Sequence, residues 1–212
     1  MLTDIILLSS GIHGREMIEI LRRTGSYRLL GIIRAEETQE QTSPDGIPVF
    51  GGPSVLSKFS DTALITDNEW PAEYLDDSAV LVRLATLIDP SAFVHPSAVI
   101  GRGCVIYPNC FIGAEAALGE SCFLLSGAAV NHNCVVGNRV IMATGAHLAG
   151  SVRVGDNVYI GQDATIRQQL AVGGGALIGM GSVVVKSVPD NAVIGGNPAK
   201  IVENLKKHAK VR

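Results

Sequence analysis

From Leu87 onward an aliphatic side chain recurs at every sixth position, beginning Ile88, Val94, Ile100, Ile106 and ending Ile166, Val172, Ile178, Val184. All seventeen of these positions hold Ile, Leu, Val or Met, and no insertion breaks the frame between Leu87 and Val188. Four places after each sits a small residue or Val, with Leu170 the one larger exception, and eight of the following positions are Gly. A period of six is neither the 3.6 of a helix nor the 2 of an exposed strand; it marks hexapeptide repeats, the signature of a parallel β-helix. The segment before it follows a different pattern. "DIILLSS", "YRLLGIIRA", "GIPVFGG" and "TALITDN" read as short strands, and "REMIEILRRTG" carries helical spacing at Met17, Ile18 and Leu21 with a closing Gly25. Strand, glycine turn, helix, strand predicts a parallel sheet with a ligand-facing loop after its first strand. The expected division is an α/β Rossmann-like subdomain over 1–80, a β-helix over 87–188 and a C-terminal cap with a short helix over 189–212.

Composition fits this picture. Hydrophobic residues make up 47% and charged residues 17%, while 24 glycines and only 5% aromatics speak for a turn-rich repeat rather than a bundle. A formal charge of −3 leaves no electrostatic footprint for nucleic acid. No run is apolar enough to span a bilayer, and Met1-Leu2-Thr3-Asp4 lacks a basic signal region, so the cytoplasm is the expected compartment.

Cys104, Cys110, Cys122 and Cys134 all fall on the small-residue slot of the hexad, so their spacings in multiples of six come from the repeat. They read as interior packing residues of a reducing compartment, and no metal is expected at them. "SSGIHG", with Ser9 where a dinucleotide fingerprint has its first glycine, serves equally as a tight helix–sheet turn or as a phosphate site. In "VNHNCVVGN", Asn131, His132 and Asn133 occupy turn positions, which point off the solenoid rather than into it.

"TLIDPSAFVHPSAVIGRG", "AAVNHNCVVGN", "GAHLAGSVRVGDNVYIG" and "VPDNAVIGGNPAK", behind "GIHGREMIEIL" and "GIPVFGG", resemble the bacterial sugar O-/N-acyltransferases of the left-handed β-helix superfamily. The resemblance covers nearly the whole chain and is nearest to N-acetyltransferases of nucleotide-linked 4-amino-6-deoxy sugars and to sialic acid O-acetyltransferases. It implies a left-handed coil of three hexads per turn, so that residues eighteen apart stack and His132 lies between Ala114 and Gly150. It implies an acetyl-CoA-dependent acyltransferase of surface-glycan (O-antigen, lipopolysaccharide) biosynthesis, with His132 as general base, direct attack on the thioester and the backbone N–H of Gly150 facing the oxyanion. The usual acidic residue after the histidine is replaced by Asn133. Ile141 stands where several members carry a second, CoA-contacting histidine, and His147 lies nearby. Pantetheine is expected along turns such as Gly161 and Gly179, with Lys200 and the lysines after it near the CoA phosphates, in a groove between two subunits of a homotrimer. Gly11, Ile12 and His13 carry over as substrate contacts. Arg34 replaces the first of an acidic pair, and Thr66 the glycine of a Gly-Asp, which leaves UDP, dTDP and GDP open as the nucleotide. O-acetylation of a sialic-acid-type hydroxyl and a non-catalytic nucleotide-sugar binder are the alternatives. A trimeric carbonic anhydrase of the same fold needs a close pair of zinc histidines, which His95, His132 and His147 do not supply.

Overall fold

The structure, a computed structural model, describes residues 2–9, 11–68, 70, 80 and 83–204, with the backbone alone at 203 and 204. The chain divides into two compact units, Met1–Pro90 and Ser91–Arg212.

In the first unit, β1 (Thr3–Leu8), β2 (Tyr27–Ile33), β3 (Val49–Gly51) and β4 (Ala63–Thr66) form a parallel sheet in the order β3-β2-β1-β4. Ile5, Ile6, Leu7 and Leu8 are completely buried, as a central parallel strand covered on both faces requires. Helix α1 (Ile12–Thr24) buries Met17, Ile18, Ile20 and Leu21 and stops at Gly25, whose φ of 63° is the left-handed C-terminal cap. A 3-10 helix, Pro53–Phe59, connects β3 to β4.

The second unit is a parallel β-solenoid, whose first strand, Leu87–Ile88, falls in the last residues before the unit boundary. Each inward aliphatic from Ile88 to Val184 closes a two-residue strand, and these seventeen strands recur every six residues from Leu87–Ile88 to Val183–Val184. Pairing links residues eighteen apart, as in Ala129↔His147 and His147↔Thr165, so the strands fall into three sheets. The aliphatic and the small residue of each hexad face inward: Ile106, Ile112, Leu124, Val130, Cys104, Cys110, Cys122 and Cys134 are all buried. No residue is ejected as a loop, in keeping with the unbroken hexad frame.

The turns share one backbone device. From Gly103 to Gly181 every sixth residue, fourteen in succession, has a positive φ between 53° and 73°. Five of these are Gly; the other nine include Asn109, Asn133 and Asn157, the residue type that tolerates the left-handed region best after glycine.

Beyond the last coil the expectation of a helix is corrected as far as Asn204. Ala192–Gly196 continues one solenoid sheet and Ala199–Asn204 returns antiparallel to it. Val193 and Ile194 pair with Leu177 and Ile178, and this ladder outweighs the helical leaning of the Lys- and Glu-containing tail. The remaining helix expectation, with Lys206, Lys207 and Lys210, lies outside the described residues.

Candidate active site

His132 sits in the turn that follows the strand Ala129–Val130. The turn is tied to both neighbouring coils: the Asn133 N–H donates to Ala114 O at 2.9 Å, and His132 O accepts from the Ser151 N–H at 2.9 Å. Asn131 adds its side-chain amide, which donates to Leu148 O at 2.7 Å. The backbone under the exposed imidazole is therefore held by both neighbouring coils.

The ring is oriented by its own neighbour. His132 Nδ1 lies 2.9 Å from Asn133 Oδ1. An amide oxygen only accepts, so the proton resides on Nδ1 and Nε2 presents its lone pair. Asn133 reaches this position because its backbone is left-handed, with φ 58°. One residue thus satisfies the turn and sets the tautomer.

Gly150, one coil on, lies directly against the other side of the ring. A Cβ built on it would be 2.6 Å from both Nε2 and Cε1 of His132. The space over Gly150 is filled by the imidazole itself. Only glycine permits that approach. No acceptor among the described residues takes the Gly150 N–H, so a free backbone donor and a free imidazole lone pair are adjacent.

Cys134, two residues from the histidine, plays no part on this surface. It is completely buried, its Sγ donates to Ala149 O at 3.1 Å, and burial pushes its thiol up in pKa. All four cysteines are buried, and none forms a disulfide. Among the described residues no three His, Cys, Asp or Glu side chains gather into a metal-holding group.

The other expected cofactor residues do not share this corner. Ile141 is half-buried on the sheet face that also carries Phe123 and Tyr159. Gly161 and Gly179 follow Ile160 and Ile178 at the corner beyond that face, where their N–H groups donate to Ile178 O and Ile194 O. Lys200 lies in the terminal hairpin opposite Gly195. His147 is exposed on the strand that pairs with Ala129.

In the first unit a cavity of about 390 Å³ opens at the carboxyl ends of β1 and β2. Gly11 and Ile12, where α1 begins, line it together with Arg34; His13 and Thr66 are not among its lining residues. His13 Nδ1 lies 3.5 Å from Glu16, and the buried Thr66 donates to Asp67 O. Gly14 lets the helix approach Ser9, since a Cβ there would lie 2.0 Å from Ser9 Oγ. Sequence reasoning missed two bidentate ion pairs in this wall, Arg34–Glu40 and Arg15–Asp45. The hydrogen bonds from Arg34 and Arg15 hold the Glu40 and Asp45 carboxyls below their usual range. Arg15 and Asp45 are 30 residues apart, and no local pattern announces such a pair.

Comparison with solved structures gives matches over almost the full length. The acetyltransferase domain of PglB from Neisseria gonorrhoeae is 31% identical, over 94% of this chain and 99% of its own, with a TM-score of 0.82. The same domain in complex with acetyl coenzyme A aligns with a TM-score of 0.85. A single-residue variant of GDP-perosamine N-acetyltransferase from Caulobacter crescentus, in complex with CoA and GDP-perosamine, is 28% identical over 96% of this chain and 98% of its own, TM-score 0.86. WeeI from Acinetobacter baumannii is 25% identical over 94% of this chain and 100% of its own, TM-score 0.80. No protein-family model and no curated protein sequence matches the chain.

Proposed function

Because the chain belongs to the sugar acyltransferases of the left-handed β-helix type, we propose that it transfers acetyl from acetyl-CoA to the amino group of a nucleotide-linked 4-amino-4,6-dideoxy sugar. The observation that carries the chemical reading is the His132–Gly150 pair, a lone pair on Nε2 beside an unused backbone N–H.

The reaction uses both groups. The sugar amine nitrogen forms a bond to the thioester carbonyl carbon while Nε2 of His132 takes its proton. The Gly150 N–H donates to the carbonyl oxygen as it gains negative charge. The C–S bond then breaks, and the imidazolium returns the proton to the departing CoA thiolate. No acyl-enzyme forms, and the buried Cys134 is not required.

The first unit is read as the Rossmann-like holder of the nucleotide sugar. Its strand order 3-2-1-4 is the opening of the doubly wound order, and its cavity lies outside the carboxyl ends of β1 and β2, beside the start of α1. Two features support a homotrimer. Exposed Phe93, Val99, Phe111 and Val135 leave apolar faces uncovered. Gly161 and Gly179 stand on a different corner from His132, so a CoA site using all of them needs corners from two copies. No helix of the described residues is long and apolar enough to cross a membrane. The proposed substrates are charged metabolites, and the cytoplasm is where the reading places the reaction.

O-acetylation of a sugar hydroxyl is the second reading. An alcohol is the weaker nucleophile and gains more from a strong base, whereas His132 is backed by a neutral amide; this favours the amine. Acetyl transfer should be measured with UDP-, dTDP- and GDP-linked 4-amino sugars and with sialic acid. Turnover of one amino sugar and none of the hydroxyl acceptor is expected; the opposite pattern reverses the assignment.

A further inference from the structure

Glu115 and Asn133 hold the same place in successive coils, three positions beyond the inward aliphatics Ile112 and Val130, which pair in parallel. Both take the left-handed turn conformation, with φ 60° and 58°. The two turns lie backbone to backbone. The Asn133 N–H donates to Ala114 O at 2.9 Å, and a Cβ on Gly113 would come within 2.8 Å of His132 N. One ladder step, about 4.8 Å, separates the backbones from which the two side chains leave.

The polar atoms of this pair are only partly used. Ser97 Oγ accepts from the Glu115 N–H at 2.9 Å, which ties Glu115 to the coil before it. Its side chain is exposed and enters no ion pair among the described residues. Asn133 commits Oδ1 to His132 Nδ1, while its Nδ2 has no acceptor among the described residues. An amide can turn over, and Nδ2 set against Nδ1 would select the opposite tautomer. Nothing within the His132–Asn133 pair forbids that reversal.

Taking His132 as the base, we infer that Glu115 is its positioning residue, acting through the Asn133 amide. Nδ2 of Asn133 donates to the Glu115 carboxylate, Oδ1 then faces Nδ1, and the His132 lone pair stays on Nε2 beside Gly150. The carboxylate only accepts, so the reversed amide would set Oδ1 against negative charge. The acidic group missing directly after the histidine is thus supplied from one coil earlier. No proton crosses the amide; Glu115 contributes orientation and charge. That charge acts from about 8 Å, two hydrogen bonds and an amide away, and favours the imidazolium by about half a pH unit. Other titratable or charged side chains also surround the ring. His147 and Arg153 stand on the strands before and after the Gly150 turn, and His95 and Arg167 lie two coils away on either side. Glu115 is the one carboxylate in this set.

Nitrogen-15 NMR of His132 in the full-length protein reads its tautomer and its titration midpoint without turnover. The wild-type protein should hold the proton on Nδ1. Glu115→Gly removes the side chain without strain at φ 60°; it should mix the two tautomers and lower kcat by roughly threefold to tenfold, with KM within about twofold. Glu115→Gln keeps an acceptor and loses the charge. Its tautomer should persist, while the midpoint and the lower limb of the pH–rate profile move down together by about half a unit. Glu120→Gln, which removes a carboxylate paired with Arg102 on another corner, is the control. If tautomer and midpoint in both Glu115 variants match those of Glu120→Gln, the positioning role is wrong while the base stands. A raised KM for the sugar with His132 unchanged would likewise overturn it and give Glu115 to substrate binding. If the midpoint moves and the pH–rate limb does not follow, His132 is not the base, and the reading beneath this proposal falls.

Discussion

Nε2 of His132 and the Cα of Gly150 face each other across one step of the solenoid, so closely that a methyl group on Gly150 would sit 2.6 Å from the nitrogen. The imidazole is thereby fixed from two sides, by Asn133 at Nδ1 and by a bare backbone at Nε2. Gly150→Ala should leave the solenoid folded, because the added carbon points at an exposed ring that can swing away. It should nevertheless lower kcat by about a hundredfold, the cost of displacing a reacting group by about 1 Å. Circular dichroism and kcat on the same sample separate the two effects.

Removing the imidazole is the direct test of the base. His132→Ala or His132→Asn should reduce kcat by roughly 10²–10⁴ with little change in KM for acetyl-CoA. A His132→Asn protein with near-normal kcat from pH 6 to 9 would turn the histidine into a positioning residue and leave the substrate amine to lose its proton unaided.

Asn133 is tested by a pair of substitutions that pull its two roles apart. Asn133→Asp keeps a residue suited to positive φ and puts a carboxylate on Nδ1, which favours the imidazolium and raises its pKa. The lower limb of the pH–rate profile should move to higher pH, because a raised pKa keeps the base protonated further up the scale. Asn133→Ala loses the tautomer-setting acceptor and the polar side chain that lets Asn hold φ 58°, a conformation that costs an ordinary L-residue about 1–2 kcal/mol. A lower melting temperature together with a lower kcat is expected.

The ion pairs of the first unit carry pKa shifts of the opposite sign. Arg15 and Arg34 hold the Asp45 and Glu40 carboxyls below their ordinary values. A depressed carboxylate contributes fully above its unfolded pKa and loses that contribution as pH falls through the folded value. The stability of the first unit should therefore be flat near neutrality and decline only in acid below the ordinary carboxylate range. Asp45→Asn should flatten that decline; thermal melting between pH 3 and 7 reads it.

Assembly is checked by light scattering. The exposed Phe93 and Phe111 rings stack on each other at 5.2 Å, and Phe111→Glu should put a charge on the same face. A trimer for the wild-type protein and a smaller species for Phe111→Glu are expected; a wild-type monomer at micromolar concentration contradicts the shared site.

Much of this molecule is legible in the chain because its fold is a repeat. Ile88 to Val184 announce the strands one by one, and the cysteines reveal themselves as packing once their six-residue spacing is seen. His132 stands out through "NHNC" only with the family resemblance beside it. What stays hidden depends on geometry that no local pattern encodes. That Asn133 occupies a left-handed position becomes clear only when the turns are stacked and fourteen of them share it. The Arg15–Asp45 pair joins the helix to a loop thirty residues on. Helical leaning after Pro198 yields to strand pairing because Ile194 and Ile201 meet across the hairpin.

A hexad frame without a single insertion also means that position along this protein is quantised. Eighteen residues are one step, and a side chain can be carried to the next storey only by a whole coil. Evolution of such a molecule proceeds by adding or deleting floors rather than by lengthening a loop. A duplicated coil inserted after Gly150 would lift every coil beyond it by one ladder spacing, about 4.8 Å, and leave the step between His132 and Gly150 untouched.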